Sequence, residues 1–465
     1  MSHPQFGPLE VTRSLSTCAR GAEFRFGEDT ALVAVQHLLL QTVDLFQTLG
    51  TIGFNLKNVF ALGKIYSNSA PVIQMLRDMG VTVIDSTRPE PGEFRAYFRR
   101  DVDRLWQVAA ETIRQRNIRR ILVLDDGGDC ITSAPLDVLQ RYALCGVEQT
   151  SRGMFLFEVQ PPAFAVISWA RAAVKLEIGG PIFSQFFIEQ MNTKFLRGRT
   201  LQGERLGVIG MGSIGRAVAS LAVKQGNEVL YCDPNKALHL PAPLTHRVTR
   251  VDSVEELMVH CDYVLGCSGR NPFKDKWPLK HRPGIKLLSA SSDDEEFGPI
   301  IKALKQKPDF KVTPNTWDVF SEHGPCGPIH IAYLGYPYSF VSRGVEALPT
   351  RIVQFETGGL LAALIQARLL LKQYEAGLER NRGIHRVAPQ AQGFVYEHWI
   401  RAMKDRRIDF TELLAANQGV SQHDDWFIEN SEPRPSNRYR PVKEIEEMMD
   451  QIICRGCFVK AQGSG

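Results

Sequence analysis

The chain has 465 residues, of which 44% are hydrophobic and 23% charged, a composition that excludes a fibrous or disordered protein. Lysine and arginine number 55 against 51 aspartates and glutamates. Because no basic block stands out, we expect no nucleic-acid partner. The longest apolar stretch, residues 31–46, is short and interrupted by polar residues, so no membrane partner is expected. Nine cysteines without a secretory signal indicate reduced thiols and a cytoplasmic location.

Apolar residues recur with helical spacing from Ala31 to Leu49, which predicts a first helix that ends near Gly50. Strands and helices then alternate, a pattern typical of a parallel sheet covered on both faces. The predicted elements are strand 59–62, helix 70–79, strand 81–84, helix 94–116 and strand 121–124.

A second α/β series is predicted from about residue 206 to about residue 340. Residues 181–199 are predicted to form a helical connector between the two series. Helical spacing returns at 352–371, around 396–404 and at 442–453.

The strongest local signal is a G-x-G-x-x-G loop between a short β-branched strand and a helix. Gly210 permits the tight turn, Gly212 lets the backbone approach a pyrophosphate, and Gly215 lets helix and strand pack closely. Asp233 follows the next predicted strand, 23 residues after Gly210, where the carboxylate that binds the adenosine ribose is expected. This carboxylate would repel a 2′-phosphate, so the sequence favours NAD over NADP.

Three other segments carry groups that could do chemistry. Asp125–Asp129 (DDGGD) follows a buried strand, where ligands bind in parallel sheets, although such a turn can equally be structural. Residues 148–153 are polar and rich in hydroxyl groups. Lys175 lies in an apolar helical stretch, where a lysine is usually a surface residue but can be a desolvated general base.

Together, in this order, these segments resemble the S-adenosylhomocysteine hydrolase family, whose DDGGD, E-E-T-T-T-G and V-T-K-S-K-F-D-N motifs precede the NAD loop. Fainter similarities continue at residues 291–297, 383–385 and 434–440. The resemblance implies an enzyme that uses tightly bound NAD to oxidise the 3′-hydroxyl of an adenosine-like nucleoside. Elimination, addition and re-reduction would follow.

The resemblance also assigns roles to individual residues of this sequence. Lys175 and Asp126 are the expected catalytic residues, and both are expected to bind substrate together with Gln149 and His37. The residues expected to bind the cofactor are Thr150, Ser151, Arg152, Gly210, Gly212, Ser213, Ile214, Gly215, Asp233, Ser291 and Ser292.

Several positions depart from the pattern of that family. Gln149 replaces a glutamate and cannot exchange a proton, while Gly179-Gly180 leave Lys175 without the carboxylate partner found in the family. The histidine on the substrate side falls at Ala34, with His37 nearby, and Ser292 replaces a further histidine. We therefore expect redox chemistry to be retained and hydrolysis of S-adenosylhomocysteine to be weak or absent.

Two alternatives stay open. The NAD-binding segment fits a D-2-hydroxy-acid dehydrogenase equally well, although the Arg, Glu and His of that family cannot be placed. A catalytically silent homologue that binds NAD or a nucleoside is the other. Cys454 and Cys457 lack a second ligand pair, and His260, His281, His323 and His330 lack metal spacing, so no metal is predicted.

The predicted fold class is α/β with two doubly wound parallel-sheet domains. Residues 9–190 and 352–420 would form a substrate domain, into which a Rossmann NAD domain at 191–351 is inserted. Residues 421–465 would form a C-terminal tail that contacts a neighbouring subunit, in a homodimer or homotetramer.

Overall fold

The computed structural model describes residues 9–199, 201–236, 238–273, 280–342, 344–375, 383–404 and 443–462, together with Ala415. In chain order, the strands are β1 (Thr30–Gln36), β2 (Val59–Gly63), β3 (Thr82–Ile84), β4 (Arg120–Asp125), β5 (Ala143–Glu148), β6 (Ala165–Ser168), β7 (Arg205–Ile209), β8 (Glu228–Cys232), β9 (Val248–Arg250), β10 (Tyr263–Gly266), β11 (Ile285–Ser289), β12 (Lys311–Val312), β13 (Val319–Gly324), β14 (Gly327–Ile331) and β15 (Ile384–Arg386).

The α-helices alternate with these strands. They are α1 (Glu10–Gly21), α2 (Leu40–Thr51), α3 (Ala70–Asp78), α4 (Phe94–Arg114), α5 (Asp129–Thr132), α6 (Leu136–Arg141), α7 (Ser151–Val159), α8 (Gly180–Gln190), α9 (Ser213–Lys224), α10 (Ala242–Thr245), α11 (Val254–His260), α12 (Gly298–Leu304), α13 (Gln354–Glu375), α14 (Pro389–Lys404) and α15 (Lys443–Gln462). None of the helices within the described ranges is long and apolar enough to cross a membrane.

Two sheets organise the molecule. The first has seven parallel strands in the order β15-β6-β5-β4-β1-β2-β3. The second has eight strands in the order β12-β13-β14-β11-β10-β7-β8-β9, parallel except where β13 pairs with β12 and with β14. The second sheet is inserted between β6 and β15 of the first, which confirms the predicted fold class. The residue limits of the two domains stay a prediction.

The predicted first helix is wrong in its N-terminal half, because residues Thr30–Gln36 form β1. This strand lies between β2 and β4, and all seven of its residues are buried. Ala31, Val33 and Val35 pack into the core that contains α4, whereas Leu32 and Ala34 pack into the core that contains α2 and α13. Because both faces are buried, residues 31–35 are all apolar, and the strand lacks the alternation by which strands are usually recognised.

The chain passes between the sheets through helical segments. A turn of π-helix at Lys175–Gly179 leads into α8, and a second π-helical turn follows at Met191–Phe195. The chain returns through α13, which packs against β4, β5 and β6. Near the C-terminus, α15 packs against α1 and α14 of the same chain. The predicted contact of the tail with another subunit stays a prediction, and residues 421–442 lie outside the described residues.

Candidate active site

The glycine loop lies between β7 and α9. A Cβ would meet different surroundings at each of its three glycines. Gly210 has a φ of +88°, and a Cβ there would lie 2.9 Å from the Cα of Ser268. A Cβ at Gly215 would collide with the carbonyl oxygen of Gly210. A Cβ at Gly212 would meet no atom within 4 Å, so this position borders open space at the N-terminus of α9. Such a cradle fits the pyrophosphate of a dinucleotide.

Asp233 follows β8 at the edge of this loop. Its Oδ2 accepts a hydrogen bond from the Met211 amide at 2.7 Å, and its Oδ1 accepts one from the Asn235 amide at 2.8 Å. The carboxylate is therefore fixed beside the loop, in the position expected of a ribose-binding acid.

A cavity of about 380 Å³ lies between the two sheets, where the carboxyl ends of β1, β4, β5, β7, β8, β10 and β11 meet. The structure brings to this cavity all the predicted site residues except Gly215, which lies in α9 behind the loop. They are His37, Asp126, Gln149, Thr150, Ser151, Arg152, Lys175, Gly210, Gly212, Ser213, Ile214, Asp233, Ser291 and Ser292. Their individual roles stay predictions.

Asp126 lies in a buried network on the first-sheet side of the cavity. Its Oδ1 lies 2.6 Å from the ammonium of Lys64, and its Oδ2 accepts a hydrogen bond from Gln149 and lies 3.4 Å from Nε2 of His37. Burial by itself would raise the pKa of Asp126, but the charge of Lys64 holds it well below the usual range. Asp126 is therefore an ionised, fixed carboxylate.

His37 stands between this network and the open cavity. Its Nδ1 lies 2.6 Å from the hydroxyl of Ser67, and its ring lies 4.4 Å from the ring of Phe340. Burial lowers the pKa of His37 to about 4, against the opposing charge of Asp126. The imidazole is therefore neutral at pH 7 and can exchange hydrogen bonds with a ligand without carrying charge.

Charged side chains from the two sheets meet at Asp293, which has a φ of +58°. Its carboxylate lies 2.8 Å from Nζ of Lys64 and 3.1 Å from Nε of Arg152. It also accepts a hydrogen bond from the Tyr66 hydroxyl at 3.0 Å. Lys64 and Asp293 were missed in the sequence, although Lys64 follows a strand just as Asp126 does.

Arg152, which was expected to bind the cofactor, also forms ion pairs with Asp129 at 2.8 Å and with Glu295 at 3.3 Å. Thr150 caps α7 and donates a hydrogen bond to Glu148 at 2.6 Å. These contacts tie the segment 148–153 to the turn 125–129.

On the second-sheet side, the buried carboxylate of Glu296 organises the loops that follow β10 and β11. It accepts hydrogen bonds from the Ser268 amide at 2.6 Å and from the Ser291 hydroxyl at 2.6 Å. Ser291 and Ser292 both line the cavity, and the hydroxyl of Ser291 is already used in the hydrogen bond to Glu296.

Lys175 has a carboxylate partner, which corrects the expectation that it lacks one. Its Nζ lies 2.9 Å from Oε2 of Glu356, at the start of α13. The hydroxyl of Ser213 donates a hydrogen bond to the carbonyl of Leu176. This bond joins the π-helical turn that contains Lys175 to Ser213, the first residue of α9. The sequence signal for Glu356 was a single acid in an apolar helical stretch.

The remaining predicted candidates do not form a site in the described parts of the chain. No group of three histidine, cysteine, aspartate or glutamate side chains with metal-binding geometry occurs there. The side chains of Cys454 and Cys457 lie outside the described residues. His323 and His330 each lie near a single aspartate, Asp309 and Asp318 respectively.

Residues 184–272 match the family model for the NAD-binding domain of D-isomer specific 2-hydroxyacid dehydrogenases. The match covers the C-terminal part of α8, the glycine loop and the strands from β7 to β10. The chain therefore contains an NAD-binding domain like that of the D-2-hydroxyacid dehydrogenases, and its cofactor is NAD.

Among curated proteins, the chain is 29% identical over 287 residues to an uncharacterised protein recorded in two strains of Mycobacterium tuberculosis. The alignment covers 61% of this chain and 53% of each relative, so the chain spans about half the length of the curated relatives it matches.

Two solved structures are also similar. D-mandelate dehydrogenase of Rhodotorula graminis is 16% identical, with a TM-score of 0.26 over 48% of this chain and 76% of that one. NAD⁺-bound 3-phosphoglycerate dehydrogenase of Entamoeba histolytica is 13% identical, with a TM-score of 0.33 over 60% of this chain and 78% of that one.

The assignment to the S-adenosylhomocysteine hydrolase family is therefore wrong, and with it the hydrolase or lyase activity and the nucleoside substrate, because the NAD-binding domain matches a different family. The alternative of a D-2-hydroxyacid dehydrogenase-like NAD-binding protein is the one supported.

The motifs that suggested the hydrolase family have a structural explanation in this fold. Asp125 accepts a hydrogen bond from the Ile131 amide at 2.8 Å, and Glu148 accepts one from the Gly127 amide at 3.2 Å. Acidic and glycine-rich turns thus connect the carboxyl ends of the neighbouring strands β4 and β5.

Proposed function

We propose that the protein is an NAD-dependent oxidoreductase that interconverts a 2-hydroxy acid and the corresponding 2-oxo acid in the cavity between its sheets. The observation that carries this proposal is the placement of Lys175 and the glycine loop on one cavity, joined by the hydrogen bond between Ser213 and Leu176. The family match of the NAD-binding domain supports the choice of a 2-hydroxy acid as the substrate class.

Bound NAD supplies the hydride acceptor or donor. We assign proton exchange at the substrate oxygen to Lys175. In the direction of reduction, its ammonium group donates a proton as the carbonyl carbon receives hydride. In the direction of oxidation, the nitrogen takes the proton of the hydroxyl group. Lys175 is suited to this role because it is a cation at the cavity wall.

The substrate acid would be bound by groups on both sides of the cavity. Arg171 and Arg270 line the cavity and approach the same ring, that of Phe155, at 5.4 Å and 3.5 Å. Guanidinium groups suit a carboxylate. We assign His37 and Gln149 to hydrogen bonding with the substrate, and Asp126 to holding both of them in place.

The test is turnover by purified protein with a panel of small 2-oxo acids and NADH, followed by the loss of NADH absorbance. The panel would include pyruvate, glyoxylate, hydroxypyruvate and phenylpyruvate, and the matching 2-hydroxy acids would be tested with NAD⁺. We expect one group of acids to be turned over and Lys175→Met to abolish that turnover. Lys302→Met is the matched control, because Lys302 pairs with Glu93 at the surface. If no acid is turned over by protein that binds NADH, the substrate class is wrong.

We further propose that the protein is a cytoplasmic homodimer or homotetramer. The free cysteine thiols in the described part of the chain are compatible with a reducing compartment. Light scattering coupled to gel filtration measures the number of subunits, and a monomer would contradict the proposal.

A further inference from the structure

The first turn of helix α13 contains an acid, Glu356, that the apolar character of the helix does not explain. Glu356 is 6% exposed and is flanked by the buried residues Phe355 and Thr357. The start of the helix is held in place from another part of the chain, since the side chain of Gln354 accepts a hydrogen bond from the Val11 amide at 3.1 Å. The carboxylate of Glu356 is thus fixed at the cavity wall.

One oxygen of this carboxylate is fully used by the protein. Oε2 accepts a hydrogen bond from the indole nitrogen of Trp169 at 2.6 Å and lies 2.9 Å from Nζ of Lys175. The indole holds the carboxylate, and the carboxylate holds the ammonium group. A long lysine side chain otherwise samples many rotamers, so two anchored contacts in series restrict where Nζ can be.

The other oxygen of the Glu356 carboxylate, Oε1, indicates that the packing of α13 alone does not explain why an acid stands here. Oε1 is buried and has no hydrogen-bond partner among the described residues. A Cβ at Gly179 would lie 3.3 Å from it, so the missing side chain at Gly179 leaves room for Glu356. Burying a carboxylate costs free energy unless it is paired, and Lys175 is the cation that pairs with it.

We propose that Glu356 is the positioning residue for proton exchange at Lys175, an inference that rests on the proposed function. Glu356 holds Nζ at one place on the cavity wall. In reduction, an N–H bond of Lys175 breaks and the O–H bond of the product forms, while the hydride comes from NADH. Lys175 is left as a neutral amine beside the Glu356 carboxylate and regains its proton from water.

The experiment compares Glu356→Gln with wild type and measures Lys175 directly. Protein stripped of NAD is treated with trinitrobenzenesulfonate, an amine-selective reagent, and the modified peptides are quantified by mass spectrometry. Because the ion pair with Glu356 at 2.9 Å holds Nζ against the protein, we expect Lys175 to react about tenfold faster with the reagent in Glu356→Gln, where that pair is lost. Glu375→Gln is the matched control, since it removes an acid from the same helix that pairs with Arg120 away from the cavity.

Turnover of the best 2-oxo acid is measured on the same proteins. Loss of positioning should lower kcat by about 10–100-fold in Glu356→Gln, while the KM for NADH stays unchanged. Trp169→Phe keeps the carboxylate but removes the hydrogen bond that anchors it. We expect it to give a smaller change of the same kind, which provides a second test should Glu356→Gln fold poorly.

Equal labelling of Lys175 in wild type and Glu356→Gln would overturn the inference, and so would faster labelling without loss of kcat. Wild-type protein that turns over no acid would refute the proposed function. The labelling rate would still report whether Glu356 controls Lys175.

Discussion

Replacing Gly212 by alanine tests the position of the cofactor most directly. Gly212 has a φ of −70°, which alanine adopts without strain, and a Cβ there meets no protein atom within 4 Å. The added methyl group would point into the space that we assign to the pyrophosphate. The substitution should therefore spare the protein and impair the binding of NAD.

The expected magnitudes follow from this geometry. Alanine restricts the unfolded chain, which stabilises the fold by about 0.4–1 kcal/mol, but it is a poorer N-cap than glycine by a similar amount. The free energy of unfolding should thus change by less than about 1 kcal/mol. A methyl group that keeps a phosphate oxygen from the helix amides removes at least one charge-assisted hydrogen bond, about 1.5–3 kcal/mol. The affinity for NAD should fall about 10–100-fold.

Calorimetric titration of NAD into stripped protein measures the affinity, and urea unfolding of the same protein measures stability. Gly215→Ala is the contrasting variant, because its Cβ would collide with the backbone of Gly210. We expect it to lose about 1–3 kcal/mol of stability. If Gly212→Ala bound NAD as tightly as wild type, the cofactor could not lie against this loop as we infer.

Three further outcomes are expected. Asp233→Ala should weaken NAD binding about tenfold, because a charge-assisted hydrogen bond to the ribose is lost, and an unchanged affinity in calorimetry would remove Asp233 from the site. Lys175→Met should lower the rate of hydride transfer about 10²–10⁴-fold with NAD still bound, and a single-turnover rate equal to wild type would exclude Lys175 as the proton donor. Stability should fall by about 2 kcal/mol from pH 7 to pH 5 on account of His37, because its pKa is about 4 when folded and 6.5 in the unfolded chain. Urea unfolding at pH 7 and pH 5 should show a loss of stability that is about 2 kcal/mol smaller in His37→Gln than in wild type. An equal loss of stability in the variant would refute the assignment of this pH dependence to His37.

The glycine loop could be located from the sequence because its determinants are local, while the roles of its residues in binding NAD stay predictions. The turn, the close approach and the helix start all lie within residues 210–215, and Asp233 ends the next strand. The strand β1 was mistaken for a helix because both of its faces are buried. In a short apolar run, burial on both sides removes the periodicity that separates strand from helix.

The charged half of the site could not be assembled from the sequence in the same way. Lys64 and Asp293 are 229 positions apart, and Lys175 and Glu356 are 181 positions apart. The first pair forms because two sheets face each other across the cavity, and the second forms because α13 returns to pack against the first sheet. No local pattern encodes either arrangement. Short acidic and glycine-rich motifs at strand ends, by contrast, were interpreted as signs of one enzyme family. In this fold they hold the turns after β4 and β5 in place. They therefore indicated where the strands end, and did not indicate which reaction the protein catalyses.

The insertion of one sheet within the other has a consequence for how the chain acquires its structure. The edge strand β15 pairs with β6, and Ile384 lies opposite Val166. The first sheet can be completed only after the whole second sheet has been synthesised. Until then, the side of β4, β5 and β6 that α13 covers is exposed on the nascent chain. Contacts between residues so distant form slowly, and exposed strand edges favour aggregation. Early folding of the second sheet would bring α13 and β15 close to β6. The chain would then form the contacts that complete the first sheet more quickly.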